Sequence, residues 1–168
     1  MIITKNIHIV ENEKWSLSDL FEAYSGDIFR YSRSILKNED DAKDIVQDVF
    51  VKYAEKEDSF NGKCSHKTWL LIITRNLCFN RLKKYDRKNE RIENERLEKL
   101  YEIDYDSLIS LSEALKKLTA EHNELLYLKE YENYSYKEIS EITGQSVENV
   151  KIKLFRARQR LRQILKKD

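Results

Sequence analysis

Proline is absent from all 168 residues of this chain, and glycine occurs at 3 positions. These two residues end helices and shape tight β turns, so a chain nearly without them has few places to break a helix and little material for hairpins. The composition therefore predicts an all-α fold. At this length it allows one or two small domains, each with a modest core. No stretch approaches the roughly 18 uninterrupted apolar residues that a membrane span needs, and the opening Met1-Ile2-Ile3-Thr4-Lys5-Asn6 lacks the architecture of a signal peptide. The expected location is the cytoplasm.

The formal net charge of +1 conceals a strong asymmetry. Lys151, Lys153, Arg156, Arg158, Arg160 and Arg162 follow one another without an intervening acid. Such a block marks either a disordered tail or a helix that meets a polyanion. Val147, Val150, Leu154, Ala157, Leu161 and Leu165 recur at three- and four-residue steps through the same segment, which makes it a packed helix. Asn149, Lys153, Arg156 and Arg160 form a second stripe about a quarter turn away. Upstream, Ser135 with Glu138 is a capping box, Ile139 and Ile142 give a short helix its buried side, Gly144 suits a left-handed helix end, and Ser146 can cap the helix that follows. Two helices about a tight glycine turn, the second basic, form a helix-turn-helix with a recognition helix; the plainer alternative is a helical hairpin with a solvated basic face.

In the first half, Leu17, Leu20, Phe21, Tyr24, Ile28, Tyr31 and Ile35 mark one helix. Asn38 is an N-cap candidate, Glu39, Asp40 and Asp41 suit a helix N-terminus, and Ala42, Ile45, Val46, Val49 and Tyr53 carry a second apolar stripe to about Lys56. Residues 58–63 have the composition of a loop, and Trp69, Leu70, Ile73 and Leu77 mark a third helix that ends in Arg81-Leu82-Lys83-Lys84. Residues 86–107 are too acidic and basic for a core element, whether or not part of the segment is helical. They read as a charged linker between a first domain at 16–85 and a second at 108–168, leaving the two lobes free to take several arrangements. In the second domain Leu108, Leu111, Leu115 and Leu118 share one helix, and Leu125, Leu126, Leu128 and Tyr131 another.

Chemistry-bearing clusters are sparse. Cys64 and His66 lack a matching second pair, Cys78 reads as a small buried hydrophobe, and His8, His66 and His122 stand apart from one another. With no glycine-rich phosphate loop and no nucleophile beside a base, the expectation is a non-enzyme with no catalytic residue, cofactor, metal or small-molecule substrate.

Two all-α lobes, the second ending in a basic helix-turn-helix, resemble the extracytoplasmic-function (group 4) branch of the sigma-70 family of transcription initiation factors. The resemblance is carried by Asp41-Ala42-Lys43-Asp44-Ile45-Val46-Gln47-Asp48-Val49-Phe50, then Thr68-Trp69-Leu70 with Ile73, Arg75 and Asn76. In the second lobe it is carried by Leu115-Lys116-Lys117-Leu118, Tyr136-Lys137-Glu138-Ile139, Gly144, Val150-Lys151, Arg156-Ala157-Arg158 and Leu161. Three departures stand out: Thr119 where relatives often carry proline, Asn149 where threonine is frequent, and Ile72 where a basic residue is common.

The resemblance implies that the protein binds core RNA polymerase and promoter DNA, with an anti-sigma factor, possibly membrane-linked, as its inhibitor. Asp41, Asp44, Gln47, Asp48 and Lys52 would dock on the polymerase clamp; read without the family, they are a solvated helix face. The first lobe would read and melt the −10 element through Phe60, Asn61, Lys63 and Ser65 in the loop, with Arg75, Asn76, Asn80, Arg81, Lys83 and Lys84 beyond it. Trp69 fits either core or a stacking platform, and its helical spacing favours core. The second lobe would read the −35 element through Asn149, Lys153 and Arg156 on bases, Lys151, Arg158, Arg160 and Arg162 on phosphates, and Ser146 at the helix start. The competing function is a free-standing helix-turn-helix repressor or activator. That reading needs a ligand pocket or dimer seam in the first lobe, where the chain instead carries the Asp44 to Phe50 pattern.

Overall fold

Ser16 starts the first helix by a reciprocal exchange: its hydroxyl accepts from the Asp19 amide at 3.2 Å, while its own amide donates to the Asp19 carboxylate at 3.0 Å. This helix belongs to a computed structural model that describes residues 15–57, 60, 62–89 and 106–166. It runs over Leu17–Leu36 (α1) and stops at Lys37, whose left-handed φ of 57° turns the chain. Asn38 then caps α2, Glu39–Glu55, by accepting from the Asp41 amide at 2.9 Å. The two-residue connection sets α1 against α2, and α3, His66–Asn89, closes the lobe. Leu20, Ile28, Tyr31, Ile35, Ile45, Val49, Leu70 and Cys78 form its centre. Leu17 and Phe21, expected on the buried stripe of α1, lie at its margin and remain exposed, Phe21 resting against Phe50 with ring centroids 4.9 Å apart.

The second lobe contains α4, Asp106–Lys116; α5, Ala120–Leu126, which widens into a π-helical turn over Tyr127–Tyr131; α6, Tyr136–Thr143; and α7, Val147–Leu165. Thr119, in the place where proline was expected of a relative, caps α5 by accepting from the His122 amide at 3.2 Å. The core joins Ala114, Leu118, Leu125, Leu128, Ile139, Ile142, Val150, Leu154 and Ala157. At the end of α7 the buried stripe finishes on Ile164, and Leu165, assigned to that stripe from spacing, is exposed. Tyr131 is likewise exposed, as is Leu111. All described regular structure is helical, in agreement with the all-α expectation.

One expectation about the middle of the chain needs correction. Within the segment read as a linker, residues 86–89 continue α3 and residues 106–107 open α4, while residues 90–105 lie outside the described residues. The lobes, expected to be loosely related, pack with α1 on α5 and α3 on α6. The joint is polar at its centre. Glu124 has no exposed surface, and its Oε1 accepts from the Tyr31 hydroxyl at 2.6 Å and from Arg75 Nε at 2.8 Å. Burial pushes the Glu124 carboxyl above its ordinary range, with the Arg75 charge acting in the opposite sense. Around it, Lys37 Nζ donates to the carbonyls of Lys116 and Leu118 at the end of α4, at 2.8 and 2.5 Å. Lys67 bridges Asp27 at 2.8 Å and Glu132 at 3.5 Å. The Tyr31 and Tyr127 rings stack 5.9 Å apart.

Candidate nucleic-acid and polymerase interfaces

Local chemistry builds the two helices and the turn between them as the sequence predicts. Ser135 and Glu138 complete a capping box at the start of α6, Gly144 ends that helix at φ 69°, and the Ser146 hydroxyl accepts from the Asn149 amide at 3.2 Å to begin α7. Val150, Leu154 and Ala157 anchor α7 from one side. Asn149, Lys151, Arg156, Arg160 and Arg162 are exposed. Two other cations of the run are drawn inward: Lys153 pairs with Glu121 at 2.6 Å, and Arg158 reaches Glu130 through Nε at 2.8 Å and through its second nitrogen at 2.5 Å. Lys151 lies 5.6 Å from the centre of the Tyr136 ring. Asn149 and Arg156 thus face solvent, flanked by Lys151 and Arg162 on one side and Arg160 on the other, while Lys153 sits at the edge of that face. Two apolar residues share it. Ile152 is 49% exposed and Phe155 58%, and neither had been singled out from the sequence; their absence from the buried stripe was the available signal.

The acidic stripe of α2 meets α3. Arg81 reaches Asp41 at 3.1 Å, Asp44 at 3.5 Å and Asp48 at 3.4 Å, and the Tyr85 hydroxyl donates to Asp41 at 2.7 Å. Arg81, expected at the −10 strand, is thus held against the acidic stripe of α2. Asp44 and Asp48 remain largely open to water, so these contacts are worth little individually and are easily exchanged for an outside cation. Gln47 is exposed next to them, and Lys52 pairs with Glu55 at 2.6 Å.

At the start of α3 an aromatic cluster takes shape. Phe60 stacks on His66 at 4.3 Å and on Trp69 at 4.8 Å, Tyr53 meets Trp69 edge-on at 5.3 Å, and the Tyr53 hydroxyl lies 3.0 Å from His66 Nδ1. Burial in this cluster holds the His66 pKa below its usual value. Trp69 is half-buried, with its indole both packed on the core and part of the cluster. Ser65 is committed to capping α3, accepting from the Thr68 amide at 3.1 Å. Asn61 lies outside the described residues; Lys63 is exposed. Farther along α3, Asn76, Asn80, Lys83 and Lys84 are exposed on one side. Arg75 is turned away to Glu124, with its guanidinium 4.6 Å from the Phe79 ring centre.

No group of three His, Cys, Asp or Glu side chains that could hold a metal gathers among the described residues. Cys78 is fully buried, as expected of a small hydrophobe, and burial pushes its thiol up to about 12. A groove of about 620 Å³ runs between α1 and the second lobe, floored by Leu111, Leu115, Leu126 and Tyr127 and edged by Arg30, Arg33 and Lys37. No described helix is long and apolar enough to cross a membrane.

The molecule thus joins a helical lobe with an acidic stripe to a helix-turn-helix with a cationic outer surface. Comparison with known proteins resolves the class: residues 20–88 match sigma-70 region 2 and residues 108–161 match sigma-70 region 4. The RNA polymerase sigma factor YlaC of Bacillus subtilis is 33% identical, over 90% of this chain and 93% of its own. The ECF RNA polymerase sigma factor SigW of the same organism is 26% identical over 99% and 98%. The sigma factor RpoE of Bartonella quintana, solved in complex with the anti-sigma factor NepR, superposes with a TM-score of 0.75 at 26% identity, covering 90% of this chain and 97% of that one. The chain belongs to the sigma-70 family of RNA polymerase sigma factors, in its extracytoplasmic-function branch, as its 33% identity over 71% of the chain to the ECF RNA polymerase sigma-E factor of Escherichia coli shows.

Proposed function

We propose that this protein binds core RNA polymerase and directs it to promoters, and that the work is divided between the lobes. The observation that carries the reading is the order of the two matched regions together with the exposed basic face of α7 behind a capped glycine turn. It acts in initiation rather than as an enzyme, and in the cytoplasm, where polymerase and DNA are found. The first lobe, 16–85, offers Asp41, Asp44, Gln47 and Asp48 to a basic surface of polymerase; Lys52 stands at the same edge. Charge complementarity there steers the encounter and fixes its register. The Phe60, His66 and Trp69 cluster supplies apolar walls for a base that leaves the stack, and Asn76, Asn80, Lys83 and Lys84 supply a polar track for the opened strand of the −10 element. The second lobe, 108–168, presents Asn149 and Arg156 to base edges, and Lys151, Arg160 and Arg162 to phosphates, at the −35 element.

Arg75, Arg81, Lys153 and Arg158 join this machinery only after giving up the acids that hold them: Glu124, Asp41, Glu121 and Glu130 respectively. The packed lobes are therefore a resting arrangement, which polymerase replaces with one spaced for the two promoter elements. An anti-sigma factor is the partner that holds this resting state, as a protein of that kind accompanies the solved RpoE relative.

Size-exclusion chromatography with core polymerase tests the docking assignment. The wild-type chain is expected to co-elute, and Asp44→Arg or Asp48→Arg to reduce co-elution several-fold with far-UV circular dichroism unchanged, since each reversal puts like charge against the basic partner. A wild-type chain that elutes separately and binds DNA alone would support the repressor reading.

A further inference from the structure

We propose that Ile152 and Phe155 form an apolar ridge on α7 that reads thymine methyl groups in the major groove of the upstream promoter element. The proposal rests on α7 being the recognition helix of the second lobe, and it adds what that helix recognises.

The two side chains have no task in the core. Val150, Leu154, Ala157 and Ile164 fill the packed side of α7, while Ile152 and Phe155 stay 49% and 58% exposed. Three residues apart, they lie on one face, and Ile152, two steps from Val150, projects about 200° away from that buried residue. They therefore occupy the middle of the outward face. Asn149, Lys151 and Arg156 surround them, whereas Lys153 and Arg158 are tied back to Glu121 and Glu130 at the edges. The part of the helix that goes deepest into a groove is apolar, and the charge lies around it.

Base chemistry leaves one partner for such a surface. Every major-groove edge presents hydrogen-bonding atoms, and the single apolar group among them is the C5 methyl of thymine. An isoleucine or phenylalanine set against a guanine acceptor or the amino group of cytosine would strip water from it without replacing the bond, which penalises those bases as well. The surrounding charge selects DNA over another copy of the chain: pairing this face with itself would bring Lys151, Arg156, Arg160 and Arg162 against their own copies, while phosphates complement all four.

The test uses the full-length protein with core polymerase and a random-sequence duplex library. Bound duplexes are sequenced, and the selected ones are resynthesised with deoxyuridine in place of each thymidine in turn, which removes only the methyl. Wild type is expected to lose affinity about three- to five-fold at one or two adjacent upstream positions, the size of one buried methyl group. Ile152→Ser and Phe155→Ala are expected to lose that sensitivity and accept other bases there, with thermal melting unchanged because both residues are exposed. Selected upstream sequences without thymine, wild type indifferent to deoxyuridine, or variants as sensitive as wild type would each overturn the ridge while leaving the sigma-factor reading intact. A change in sedimentation of the variants with no change in sequence preference would assign the ridge to protein contact instead. If polymerase carrying the wild-type chain selects no sequence, the functional reading fails and the ridge with it.

Discussion

Glu124 illustrates how one side chain can decide the relation between two lobes. A carboxylate with no exposed surface costs several kcal/mol in desolvation unless it is paired, and here Tyr31 and Arg75 both donate to the same oxygen, Oε1. Removing the carboxylate takes away the anionic acceptor that the tyrosine hydroxyl and the guanidinium share. Glu124→Ala is expected to lower stability by about 3 kcal/mol in urea denaturation. Tyr31→Phe, which leaves the Arg75 pair intact, is expected to cost about 1 kcal/mol. A loss below about 0.5 kcal/mol for Glu124→Ala, the range of ordinary surface substitutions, would show that the joint does not hold the lobes. Nothing in the sequence marks this residue. Glu124 stands among Leu125, Leu126 and Leu128 as an ordinary acid on a short helix, and its burial depends on Tyr31 and Arg75, which lie 93 and 49 residues away.

At the scale of elements, much was legible because capping and periodicity are local. Ser135, Gly144 and Ser146 announce the helix-turn-helix, and Asn38 announces α2, since each acts through an amide or a backbone angle within a few residues. Gly144 is the clearest case. Its φ of 69° is strained for any side chain, though a Cβ there would meet nothing within 4 Å, so Gly144→Ala is expected to cost about 1 kcal/mol in thermal melting from backbone strain alone. Equal stability of the two proteins would mean that the turn adopts another conformation. Contacts between elements were less legible. Arg81 reads as one cation of a basic helix end until α2 places Asp41, Asp44 and Asp48 beside it, and His66 reads as isolated until Phe60 folds over it. The second contact has a pH consequence. His66 is held below its unfolded value near 6.5, so the folded chain binds fewer protons than the unfolded chain just below that pH. Its contribution is complete above 6.5 and is lost as pH falls through the window beneath it. Melting temperature is expected to drop on acidification below this pH, and less so for His66→Phe. Identical pH profiles would remove His66 from the cluster's energetics.

For the whole molecule, the proposed function has polymerase touched at one lobe and DNA at both, yet the packed arrangement keeps several cations on internal acids. Lys153 on Glu121 and Arg158 on Glu130 are partly open to water and individually exchangeable for phosphates, whereas Arg75 stays on the buried Glu124, and the joint around Tyr31 holds the lobes until a larger partner offers more. The charged segment near 86–107 was legible as a boundary because it has no apolar stripe; where α3 ends was not, because a solvated helix needs none. The most direct measurement is run-off transcription on a genomic fragment library, using core polymerase with and without the purified chain. Adding the chain is expected to produce start sites absent from core alone, each preceded by two sequence elements at one fixed spacing. A transcript set unchanged by the chain, with core polymerase shown to be active, would contradict it.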